Sequence, residues 1–540
     1  MSRHSAVEVL DARERLRRSP RRTRRAAGYQ QPRRLPLTRR GFAGVGGGRW
    51  RLMPAPATFV AASVQVCGLW PFIVGSSRPD SGVPLGEDLE TGSLVYADPI
   101  SWFRAGFIAN PSAMIFGLPG LGKSTLVTRW IFGLADRYIP SLVLGDIKGE
   151  YTAVIRELGG EVLEVAPGTF SINLLALGAL HDAAERIRDV EQVHAGTDEF
   201  GNDLFKTGAQ VAAELDALAL QQATTLVLAL CRLVRGRGLE DYEETLITVA
   251  IRLAHEQHDN PSLHTLDDIL TAGDPALSRV AVTYSKKGYR KASQRLLRTV
   301  RSILLGPMGA YFAGTQSTPI PVGLPGGVSV DISKVARADD KVLAAVMIAV
   351  WAHGFAAIDA LWELSRAQLA EWTTALVVQD ELWKPMSLAP GLAAMIDQLA
   401  RTNRSAGVGE VKITHSPKDP KALPTRTDRV LAMSFAEKSG MLIMFGLAKT
   451  DLRALDETSI SLSRVEHRAV AGWRTPRSFR VKRRAGSRPK PPPGAGHALI
   501  KVGEAPGIPV RITVTGEELR LHDTNTRWAR TSPQNLGGLR

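Results

Sequence analysis

The stretch that decides the fold runs Ala113-Met-Ile-Phe116-Gly117-Leu118-Pro119-Gly120-Leu121-Gly122-Lys123-Ser124-Thr125-Leu-Val-Thr-Arg-Trp-Ile-Phe132. An apolar run of strand type stops at a glycine, a short loop of small residues follows, and helix periodicity starts at about Gly122. The string Gly117 to Ser124 meets G-x-x-x-x-G-K-[ST] at every defined position. Small residues let backbone N–H groups turn inward toward phosphate oxygens, and the following helix aims its positive end at the same charge. Residues Gly117, Leu118, Pro119, Gly120, Leu121, Gly122, Lys123, Ser124 and Thr125 are therefore the expected nucleotide cradle. Lys123 would reach the β and γ phosphates of ATP, and the Ser124 hydroxyl would ligate Mg²⁺.

Such a cradle needs an acid at the end of a neighbouring buried strand. Ala375-Leu-Val-Val-Gln-Asp380-Glu381 supplies it. Asp380 is the expected metal-positioning residue, and Glu381, one residue on, the expected general base for the attacking water. A second acidic strand end, Gly145-Asp146-Ile-Lys148-Gly-Glu150-Tyr151, follows the apolar run 140–146, so Asp146 is expected near the γ phosphate. Residues 401–416 read as a helix end, a loop and a strand stopping at Thr414 and His415. His415 is placed to sense the γ phosphate, and Arg401 or Arg404 to reach a neighbouring subunit's nucleotide as an arginine finger.

Around these motifs the 540-residue chain is ordinary globular sequence, 44% hydrophobic and 22% charged. Its two cysteines, Cys67 and Cys231, are far apart, which excludes a disulfide scaffold and a cysteine zinc site. The net charge of +15 is concentrated in two places. Residues 1–52 hold 15 Arg against three acids, and residues 474–490 hold eight basic residues and no acid, which leaves about −5 for the rest. Those basic stretches suit an anionic membrane surface or DNA, or a solvated tail, rather than a folded binding face. Thr38-Arg39-Arg40-Gly41-Phe42 looks like a twin-arginine export core, but Pro54, Pro56, Gln65 and Pro71 break the charge-free run after it. The expectation is a cytoplasmic chain, with peripheral attachment to the inner face of the cell membrane left open.

The patterns divide the chain into a basic disordered arm at 1–52, a small β-rich region at 53–105, and an α/β core at 106–180 and 321–473. A helical insertion at 181–320 interrupts the core, and a basic Pro-rich linker at 474–496 precedes an appendix of weak strand signals at 497–540. Strands are expected at 112–117, 140–146, 328–333, 374–380, 409–415, 429–433 and 441–445, and long helices at 122–137 and 339–365. Within the insertion, Tyr289 to Leu305 carries basic residues along one face.

With these residues in place the chain resembles the HerA/FtsK superfamily of RecA-like P-loop motors, and within it the TraC or VirB type ATPases of conjugative type IV secretion. The resemblance rests on the loop 117–124, the box at 146–151, Ile172-Asn-Leu-Leu175, the helical insertion, Val377-Val-Gln-Asp-Glu-Leu-Trp383 and the stretch Arg404 to His415. It implies a mostly parallel RecA-like sheet flanked by helices, with an all-α insertion. It further implies a hexamer of this chain that hydrolyses ATP with Mg²⁺ and works with channel or coupling proteins in secretion, conjugative transfer or pilus assembly. Two other readings are a DNA translocase of the same superfamily and a nucleotide-binding scaffold that does not turn over. His415 departs from the family, which usually carries Gln after Thr at that strand end.

Overall fold

The computed structural model describes residues 37–38, 41–42, 79–197, 201–335, 339–372, 374–388, 391, 393–394, 397, 407–458, 460–474 and 492–521. The chain divides into two units, residues 1–74 and 75–540. In the first, Leu37–Thr38 pairs antiparallel with Gly41–Phe42. The remainder of the arm at 1–52, most of the linker at 474–496, and Arg401 and Arg404 lie outside the described residues.

The second unit is built on an 11-stranded sheet. Its strands are β1 Pro84–Asp88, β2 Leu94–Tyr96, β3 Ser112–Phe116, β4 Ser141–Asp146, β5 Glu161–Glu164, β6 Val328–Asp331, β7 Leu376–Gln379, β8 Gly409–Thr414, β9 Met441–Met444, β10 His497–Lys501 and β11 Ile508–Ile512. Seven of them run parallel in the order β9-β3-β8-β7-β4-β6-β5. The other four extend the β9 edge antiparallel, as β10, β11, β1 and β2.

The parallel block follows from composition. Ser-Ala-Met-Ile-Phe, Ser-Leu-Val-Leu-Gly-Asp, Leu-Val-Val-Gln, Gly-Glu-Val-Lys-Ile-Thr and Met-Leu-Ile-Met are buried at every position, as strands covered on both faces must be. Alternation then sorts the side chains between two layers. Leu142, Leu144, Val328, Val330 and Val377 face the layer that holds helix α2, Asp340–Arg366, and the insertion. Ala113, Ile115, Val143, Leu376, Val378, Val411 and Ile413 face the layer of helix α1, Lys123–Ala135. α2 buries 18 of its 27 residues. It is long and apolar enough to cross a bilayer, as is Gly208–Arg235, but 89% of its most apolar window is buried in the fold. Trp351 on α2 donates its indole N–H to the Leu144 carbonyl at 2.7 Å, which fixes the helix on β4.

Three expectations change. The insertion is not all helical: Val193–Thr197 and Asp203–Lys206 form an antiparallel hairpin between its first two helices. Residues 429–433 are no strand but part of the helix Arg426–Lys438. That helix is started by Thr425, whose hydroxyl accepts from the Asp428 N–H at 3.0 Å, a cap that outweighs a short apolar run. The stretches read as a separate β region and an appendix supply β1, β2, β10 and β11 to the main sheet.

Candidate functional site

The carboxyl ends of β3, β4, β7 and β8 lie side by side in the parallel block, so the residues just after them share one edge. After β3 comes the loop 117–122 and then α1, whose N-cap is Gly122. Gly117 is required by close approach, because a Cβ there would lie 2.6 Å from the Cβ of Phe445. Gly120, at φ +78°, takes the left-handed conformation that lets the loop turn its N–H groups inward. No atom stands within 4 Å of where its Cβ would be, so its left-handed backbone and not crowding is what asks for glycine there.

Lys123 is buried, and its Nζ donates to the Gly117 carbonyl at 2.6 Å and lies 3.2 Å from His415 Nδ1. On the other side of the imidazole, His415 Nε2 is 2.9 Å from Glu381 Oε1. A proton on Nε2 and a bare Nδ1 satisfy both contacts at once. The loop after β3, the strand end of β8 and the acid after β7 are thereby joined by an unbroken line of polar contacts.

Glu381 is held by more than His415. Lys148 Nζ is 3.2 Å from the same Oε1, and the Trp383 indole N–H donates to Oε2 at 2.8 Å. Burial alone would raise this carboxyl, but the bond from His415 and the cations around it prevail and hold it at about 2. Its backbone sits at φ +52°, a left-handed conformation that is uncommon for a residue with a side chain and that turns the carboxylate back into the crevice. Asp380 behaves oppositely. Burial and the neighbouring Glu381 push its carboxyl up to about 7, although its Oδ1 accepts the Glu381 N–H at 2.8 Å. Lys123 is lowered, because its burial outweighs the attraction of Asp380 and Glu381.

Asp146, at the end of β4, is almost fully buried, and burial raises its carboxyl to about 6. It accepts from the backbone N–H of Lys148, Glu150 and Tyr151, at 3.3, 3.0 and 2.8 Å. Its contacts therefore shape the turn 146–151, which carries Lys148 and Tyr151 into the crevice. Lys148, Trp383 and Tyr151 are the contributors that residue-by-residue reading did not assign. The signal lay in the motifs themselves, two residues beyond Asp146 and two beyond Glu381, but the contacts that give them meaning join distant parts of the chain.

The residues present fit a nucleotide and a divalent cation. The glycine loop leads into a 13-residue helix, Lys123 is a buried cation beside it, and Ser124 is the second residue of that helix. The Tyr151 hydroxyl is fully buried near Ser124 and Asp380, with no well-aligned hydrogen bond among the described residues, and its pKa is raised well above the ordinary phenol value by burial. A carboxyl whose proton burial retains near neutrality, next to an orphaned hydroxyl, is the environment a hydrated cation would resolve.

No protein-family model matches the chain, and no curated protein sequence matches it. Among solved structures, VirB4 of Thermoanaerobacter pseudethanolicus superposes with a TM-score of 0.56 at 18% identity, over 82% of this chain and 99% of that one. The plasmid coupling protein TrwB in complex with ADP and Mg²⁺ gives 0.42 at 15% identity, over 75% and 86%. The cytoplasmic domain of the type VII secretion ATPase EccC from Thermomonospora curvata gives 0.28 at 14% identity, over 83% and 31%. The VirB4 match shows that the fold is that of a RecA-like P-loop protein.

Proposed function

We propose that this chain is an ATP-hydrolysing motor of the type IV secretion kind, acting as a hexamer with 106–180 and 321–473 as its motor core. The observation that carries the reading is the line of contacts from Lys123 through His415 to Glu381, with Asp380 beside it. Parts of the chain almost 300 residues apart meet beside the phosphate loop. Bound Mg²⁺, held by Ser124 and by Asp380 through water, would neutralise phosphate charge and align the leaving group.

The chain's own groups do the rest. Lys123 exchanges its contacts with Gly117 and His415 for the β and γ phosphates. That exchange frees His415 Nδ1, so the imidazole reports phosphate occupancy directly to Glu381. Glu381, once its three donors let go, recovers the basicity to take a proton from water. Arg401 or Arg404 of a neighbouring subunit supplies the positive charge that one subunit lacks. The motor would work on the cytoplasmic side, attached to channel or coupling proteins, with the basic arms against anionic lipid or DNA.

The test is steady-state ATP turnover of the purified chain and of Glu381→Gln, beside equilibrium binding of ATP. Turnover in the parent, lost in the variant while binding persists, is the expected result. Binding without turnover in the parent would replace the motor with a scaffold.

A further inference from the structure

Between Asp274 and Asp331 the chain has no acidic residue and eight basic ones, at 279, 286, 287, 290, 291, 295, 298 and 301. Seven of the eight lie on the insertion helix Lys286–Leu305. That helix buries Tyr289, Leu296, Val300 and Ile303 against the insertion core and turns its basic residues outward. Two of them are engaged: Arg301 is 2.8 Å from Asp267, and Arg295 lies 3.9 Å from Glu240. Lys286, Lys287, Arg290, Lys291 and Arg298 are exposed and have no ion pair or hydrogen bond with another described residue.

This row is bracketed by apolar side chains that the fold leaves in water. Before the helix, Tyr284 is 100% exposed and Val282 75% exposed, the latter held at φ +49°, a costly conformation for a β-branched residue. At its end Leu305 is 77% exposed. By helical spacing Lys287, Arg290, Lys291, Arg298 and Leu305 fall within one arc of roughly 100° along about 30 Å of axis.

We propose that this face of the insertion docks on an anionic lipid surface, independently of the basic arms and of the nucleotide site. The charge complementarity is direct, since unpaired cations on one stripe match a sheet of lipid phosphates. The apolar ends select lipid over a nucleic acid. A phosphate backbone would use the cations and stack on Tyr284, but it gives Val282 and Leu305 nothing. The headgroup region takes cations, an aromatic with a polar tip, and aliphatic side chains together.

The test places a reporter on the tip of the full chain, so that binding through residues 1–52 or 474–490 does not confuse it. Tyr284→Trp adds one tryptophan to the ten present, and its emission is read by difference against the parent. Vesicles of phosphatidylglycerol and phosphatidylcholine in equal parts, with bromine-labelled acyl chains, should quench and blue-shift it at physiological salt. Pure phosphatidylcholine vesicles should not. Adding Lys287→Glu, Arg290→Glu, Lys291→Glu and Arg298→Glu should weaken the quenching at least about tenfold, and Leu305→Ser should weaken it with the charges intact. ATP turnover of each variant checks that it has folded. Sedimentation with vesicles while the tip emission stays unchanged would overturn the proposal, as would equal quenching by neutral vesicles. A response to a single-stranded oligonucleotide but not to vesicles would also overturn it and make the face a nucleic-acid surface.

Discussion

The pair Arg235 and Glu243 in the helical insertion and the group Lys123, His415, Glu381, Lys148 and Asp380 at the sheet edge are both buried charge, and they are built in opposite ways. Arg235 and Glu243 are 7% and 0% exposed at the side chain. The guanidinium uses two nitrogens on the carboxylate and donates its Nε to Thr299 at 2.8 Å, while Glu243 also accepts the Glu240 N–H at 3.0 Å. The carboxyl lies below its ordinary range despite burial, because Arg235 bonds it from both sides, and nothing in the cluster is left to do. At the sheet edge the balance is uneven. Glu381 has three donors, Asp380 is pushed toward neutrality beside it, and Lys123 takes a backbone carbonyl and an imidazole as partners. Burial of charge therefore does not by itself distinguish a site in this molecule. Partners that a ligand could exchange do so.

The contrast can be broken by substitution, and the largest effect is expected at the edge. Glu381→Gln should lower ATP turnover about a thousandfold, with the unfolding midpoint in urea almost unchanged. If stability falls and turnover does not, the edge cluster is structural like its counterpart. Lys123→Ala should lower turnover by about two to three orders of magnitude and also weaken ATP binding, which separates it from Glu381→Gln in a binding titration. In the insertion the reverse is expected: Glu243→Gln should cost about 3 kcal/mol of stability by leaving a buried guanidinium half paired, with turnover per folded chain retained. Lys148→Met sharpens the reading of Glu381. Removing one of its donors restores basicity, so kcat should rise several-fold at constant KM, and a fall would instead make Lys148 a phosphate contact. The smallest effect concerns Cys231, fully buried behind Arg235 with its thiol pushed up to about 12. It should resist alkylation in the native chain and react only on unfolding, as read by peptide mass mapping.

How much of this was legible depended on whether the physics was local. The phosphate loop and the run 375–381 could be read because glycine, lysine and a strand-end acid are demanded by chemistry at fixed spacing. The contact of Lys123 with His415 could not, since it joins residues 292 positions apart through a crossover that spacing does not encode. Asp146 is expected near the γ phosphate or its water from its place at a strand end, but the hydrogen bonds its oxygens accept from the backbone of its own turn are not encoded in that spacing. Residues 429–433 misled because a short apolar run suits either a strand or a buried helix side, and the cap at Thr425 decided between them. The strands at 497–501 and 508–512 read as weak because they are short and punctuated by His497, Pro509 and Arg511, and the neighbours that pair with them and bury them lie far away in the chain.

Strand β11 lies between β10 and β1, so the hairpin of β1 and β2 meets the sheet only through residues made some 420 positions later. At about 5 to 20 residues per second, that hairpin emerges from the ribosome roughly 20 to 80 seconds before its partner exists. During that interval the side of β1 that pairs with β11 in the finished protein is an open strand edge, able to pair with a stranger.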